Sequence, residues 1–134
     1  MVEVLAEREV LPLYGQVIVQ DVGTVDIPDW ETGKERTVAS EHAVLIATRP
    51  DHLGKVRIQV LRGNAHNLGF RVFHGELSVS SGRLTVGSVL AGQVVEVGAG
   101  CLGHVLVEIF VDPADLPERV TVVLENNLAG REPA

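Results

Sequence analysis

The chain has 134 residues, a net charge of −7, 46% hydrophobic and only 4% aromatic content, with a mean hydropathy of +0.23. That length fits one domain, and no apolar run approaches the roughly 20 residues that span a bilayer. A lone cysteine, Cys101, excludes an internal disulfide, and an acidic balance argues against general nucleic-acid binding, which needs a positive surface.

The N-terminus, "MVEVLAEREV", is interrupted by charge and does not read as a secretory signal. With the single cysteine, it sets the expectation of a bacterial, cytoplasmic protein. "VEVLA" reads as an edge strand available to a second copy, so a homodimer stays open. "YGQVIVQD" is strand-like and apolar on both sides, as buried strands are. "DIPDWETGKERT" is a long polar excursion. Residues 21–41 carry six acids against Lys34 and Arg36, and the only tryptophan, Trp30, lies among them.

"HAVLIATR" is a second buried strand, and "TRPDHLGK" a turn opened by Pro50-Asp51 and closed by Gly54. "KVRIQVL" alternates cleanly: Val56, Ile58 and Val60 face one way, Lys55, Arg57 and Gln59 the other. In "GNAHNLGFRVFHGEL" the apolar parity switches partway, and a β-bulge at Gly75 is expected there. "ELSVSSGRLTVG" reads as a hairpin turning at Ser81-Gly82.

"GAGCLG" matches a loose G-x-G-x-x-G, but a strand follows the glycines where the dinucleotide fingerprint needs a helix. "GHVLVEIFV" alternates with a mixed second face, as in a central or partly covered strand. "DPADLPERV" carries the one helical hint, a turn opened by Asp112-Pro113 and limited by Pro117. "VTVVLEN" is a last strand, and residues 127–134 read as a flexible tail. The sum is one all-β domain over residues 1–126, eight or nine short strands in an antiparallel β-sandwich, with a jelly-roll or small barrel as the alternative.

Three constellations bear on function. His66, His74, Glu76 and His104 are the only set resembling metal ligands, and a metal or small molecule on a β-barrel is the alternative reading they support. Cys101 and His104 lie three apart, but no third group orients them as a nucleophile pair, so nothing points to catalysis and no cofactor is expected. Arg49, Lys55, Arg57, Arg62, Arg71 and Arg83 give residues 42–83 a positive balance, yet without interleaved aromatics a wet sheet face fits better than a nucleic-acid groove. Asp26, Asp29, Trp30, Glu31 and Glu35 remain as a contact surface for a protein partner with a basic surface.

Several segments together, "YGQVIVQD", "GKVRIQV", "FHGELSVSSGRLTVGS" and "HVLVEIFV", resemble a group of small bacterial all-β proteins related to competence protein J, a nuclease inhibitor. The resemblance spans about residues 12 to 125. It departs at the glycine turn, where an expected aromatic is missing. It implies a non-enzymatic protein of inhibitor or immunity type that binds another protein, and it transfers no functional residue.

Overall fold

The computed structural model describes residues 2–63, 67–89, 92–100 and 103–125. Ten strands run in chain order: β1 (Val2–Val10), β2 (Gln16–Asp21), β3 (Thr37–Ala39), β4 (Ala43–Ala47), β5 (Val56–Gly63), β6 (Phe70–Val79), β7 (Arg83–Gly87), β8 (Val94–Gly98), β9 (Gly103–Asp112) and β10 (Arg119–Leu124). They form two open five-stranded sheets, one ordered β1-β5-β10-β9-β6 and the other β3-β4-β2-β7-β8. Every pairing is antiparallel except β5 with β10. The architecture is a sandwich and not a closed barrel. Among the described residues, no helix is long and apolar enough to cross a membrane.

Valine makes this possible. Its branched β-carbon fits the pleated backbone and leaves little rotamer freedom to lose. Val56, Ile58 and Val60 of β5 meet Val105, Val107 and Ile109 of β9, and Val120, Val122 and Leu124 of β10, in one core. Val17, Val19, Val44, Ile46, Leu84 and Val86 of the opposite sheet close the same core. The aliphatic alternation therefore reports the sheet interior faithfully. The mixed second face of β9 also has a cause: Phe110 is buried on the outside with Leu61 and Val123, and Leu68 from the β5–β6 connection packs over them.

Three local expectations are corrected. The bulge in β6 lies at Val72, between Arg71 and Phe73, and not at Gly75. Val72 and Phe73 both pack against the core, so two successive apolar residues turn inward. A Cβ on Gly75 would come within 3.1 Å of the Phe73 ring, so the glycine makes room for the aromatic. Second, "ELSVSSGRLTVG" is not a hairpin, because β6 and β7 belong to different sheets. The chain crosses the sandwich at Ser80-Ser81-Gly82, and Leu77, Val79, Leu84 and Val86 meet across the core. Third, the segment after β9 holds no helical turn and runs as bends to Pro117. Leu116 has a left-handed φ of 49°, which interrupts any right-handed helix.

The crossing corner is held by a buried carboxylate. Asp21, at the end of β2, is only 4% exposed. It accepts hydrogen bonds from the Ser81 hydroxyl (2.6 Å), the Ser81 amide (3.2 Å) and the Ser80 hydroxyl (3.1 Å). Burial works against its charge, but the bonds from Ser81 and Ser80 outweigh it and hold the carboxyl below the usual value. His42 stands nearby, with Nδ1 2.9 Å from the Ser78 carbonyl oxygen.

β1 is an edge strand, as read, though it runs the full nine residues from Val2 to Val10. A bulge at Leu5 and the charges of Glu3, Glu7, Arg8 and Glu9 mark it; such features discourage edge-to-edge pairing.

Candidate functional site

The basic stretch resolves first, because its arginines are spread over both sheets and paired. Arg57 meets Glu7 at 3.5 Å, Arg71 meets Glu108 at 3.0 Å, and Arg49 lies 3.7 Å from Glu118. Arg83 pairs with Glu96, and Arg62 donates to the Gly98 carbonyl at 2.7 Å. The positive segment thus ties down the acidic segments on either side of it.

Three of the four candidate metal residues lie on paired neighbouring strands. His74, Glu76 and His104 project from the outer face of β6 and β9, opposite Glu108, Leu106 and Ser78 respectively. His74 lies 3.9 Å from Glu125. Among the described residues, no group of three or more His, Cys, Asp or Glu side chains converges as a metal would require. His66 and Cys101 fall outside the described residues, as do the tail residues 127–134.

The acidic loop is where side chains gather. Residues 22–36 link β2 to β3 and run the length of the second sheet. Asp26 sits toward one end, where its carbonyl accepts from the Ser40 hydroxyl at 2.7 Å. Trp30 sits at the other end, its indole Nε1 donating to the Gln16 side chain at 2.8 Å. Asp26 is thus about a strand length from the others, while Asp29, Trp30, Glu31 and Glu35 cluster at one pole of the sandwich.

Glu35 organises that pole. Its carboxylate accepts from the backbone amides of Glu31 (3.0 Å), Thr32 (3.1 Å) and Gly33 (3.0 Å) and from the Thr32 hydroxyl (3.1 Å). Its own backbone amide and those of Thr32 and Glu31 lower its pKa to about 2, with desolvation opposing. Its charge is spent on shaping the loop. No ion pair engages Asp29 or Glu31 among the described residues, so their charges face solvent.

Beside this loop lies an open groove of about 630 Å³. Its floor is apolar, from Ala47, Val72, Val111 and Pro117, and its walls are Trp30 with Lys34 to Arg36 on one side and Ala114 to Leu116 on another. Tyr14, from the turn before β2, forms a third wall. Arg36 clasps two walls together: its guanidinium donates to the Ala114 carbonyl and to Asp115 (3.3 Å) and stacks 4.9 Å above the Phe70 ring.

Tyr14, Leu116 and Phe70 escaped the sequence reading. Tyr14 is 80% exposed, Leu116 58% and Phe70 47%. Tyr14 adopts φ 63° and ψ 17°, so both Tyr14 and Leu116 hold left-handed backbone that costs a side-chain-bearing residue about 1 kcal/mol or more. The local signals are a Tyr-Gly pair before a strand and a leucine before proline, where right-handed helix is disfavoured. Neither signal says that the two turns meet.

No protein-family model matches the chain, and no curated protein matches its sequence. Two solved structures share its fold. One is ComJ from Bacillus subtilis, an inhibitor of the DNA-degrading activity of NucA: TM-score 0.70 at 12% identity, covering 94% of this chain and 98% of that one. The other is the product of crocagin biosynthetic gene J: TM-score 0.57 at 14% identity, covering 93% and 97%. The resemblance to proteins related to competence protein J, read in the sequence from four segments, therefore holds as a likeness of fold over nearly the whole chain.

Proposed function

We propose that this chain is a non-enzymatic binding protein of inhibitor type, whose partner is a protein with a basic surface. The observation that carries the reading is the pole itself: Asp29 and Glu31 stand unpaired beside a half-buried tryptophan at the rim of an apolar groove. Unpaired carboxylates supply attraction and orientation, and the tryptophan supplies contact area. The fold shared with ComJ supports this direction. A DNA-degrading nuclease would be a suitable partner, because an enzyme that holds phosphate must present positive charge, and carboxylates can occupy that surface. Asp26 lies at the far end of the loop and contributes to long-range field more than to contact.

The test is retention of a protein from a lysate of the source organism by the immobilised full chain, at low and at high salt. The wild type should retain a basic protein at low salt and release it as salt rises. A chain carrying Asp29→Lys and Glu31→Lys should retain little of it under either condition. Equal retention by the two chains, or no retained protein at all, would contradict the reading.

A further inference from the structure

Resting on that reading, we propose that the groove seats an apolar side chain carried on a basic segment of the partner protein, with Tyr14 and Leu116 as its jaws. The groove is apolar at its floor, and its jaws are exposed on backbone of unfavourable conformation. Folding alone leaves the greater part of each of these two side chains in solvent. Strain of this kind concentrates where a contact is prepared for another molecule.

The polar groups around the groove identify the kind of occupant. A small-molecule site needs a few convergent, unengaged polar atoms to orient its ligand. Here Trp30 donates to Gln16, Glu35 caps its own loop, and Arg36 spans Ala114 and Asp115. What remains for a ligand is apolar area, the Lys34 ammonium and the Tyr14 hydroxyl at the rim, and a net negative field. At this pole Asp29, Glu31, Glu35, Asp115 and Glu118 stand against Lys34, Arg36 and the Arg49 that meets Glu118, a net charge of −2. That combination complements a positively charged segment presenting one large apolar residue. It repels nucleic acid. The Arg36 clasp keeps the walls in place before binding, so little order has to be imposed on association.

The experiment uses the partner captured by the full chain and two substitutions that keep the left-handed backbone, Tyr14→Asn and Leu116→Asn. Asparagine tolerates that conformation, so both chains should fold as the wild type does, checked by circular dichroism. Each should weaken partner binding at least tenfold and leave its salt dependence unchanged, because the carboxylates remain. Hydrogen exchange on the partner should show protection at a segment of net positive charge. Wild-type affinity in both variants, or protection of a neutral or acidic segment, overturns the groove proposal while leaving protein binding intact. Failure of the wild type to capture any partner overturns both.

Discussion

Replacing Asp21 with alanine removes the acceptor that fixes the crossing between the two sheets. Three hydrogen bonds end on that carboxylate, and a bond to a charged group contributes about 1.5–3 kcal/mol. Ser80 and Ser81 are exposed, so water recovers part of the loss, and a net cost of about 3 kcal/mol follows for Asp21→Ala. Asp21→Asn keeps the shape and one acceptor, and should cost about half as much. With a urea slope of about 2 kcal/mol per molar, alanine lowers the unfolding midpoint by about 1.5 M. The sign with pH is fixed by the direction of the Asp21 shift. Its carboxyl titrates below its unfolded value of 3.8, so its stabilisation is fully present above that value and is lost as pH falls through the folded one. Wild type and Asp21→Asn should therefore differ by a constant amount at neutral and mildly acidic pH and converge at lower pH. The measurement is urea unfolding followed by circular dichroism at several pH values. Equal stability at pH 7, or a difference that grows on acidification, would refute the role given to this corner.

Other outcomes follow from the same geometry. Tyr14→Gly should leave stability within about 1 kcal/mol of wild type in urea unfolding, because relief of left-handed backbone offsets the greater entropy of unfolded glycine. Gly69→Ala should cost about 3 kcal/mol in the same measurement, since φ there is +124° and a Cβ would collide with the Val111 carbonyl of the neighbouring strand. The Glu35 carboxyl should titrate near 2 by NMR, so its hold on the loop is complete above the ordinary glutamate value and lost only as pH falls toward 2; a midpoint near 4.5 would contradict the hydrogen-bond cage.

The legible part of this fold was the part written in side-chain alternation. Val56-Ile58-Val60 and Val105-Val107-Ile109-Val111 pointed inward as their period-2 spacing requires, and the apolar runs that became β2 and β4 lay centrally. Alternation says which face is buried but not which sheet a strand joins. Leu77, Val79, Leu84 and Val86 would show the same pattern in a hairpin as in the crossing they make. β3 went unread because three residues carry no period, and β8 because Val94 and Val95 are adjacent. The bulge was misplaced because a glycine suggested a kink, when Gly75 serves to admit the Phe73 ring. At the candidate site, acid and tryptophan were visible in composition. Tyr14, Phe70 and Leu116 were not, because Tyr14 and Leu116 come from two turns and Phe70 from the start of β6, about 50 residues apart along the chain, and only the stacking of the sheets brings these segments together.

Trp30 is the only tryptophan in the chain, so its fluorescence reports on the binding pole and on nothing else in this protein. Once a captured partner has been purified, preferably in a form lacking tryptophan, titrating it into the full chain tests the central claim most directly. Protein binding at this pole predicts a saturable shift of Trp30 emission that follows complex formation seen by gel filtration and weakens with added salt. Complex formation with Trp30 emission unchanged would place the contact elsewhere on the molecule.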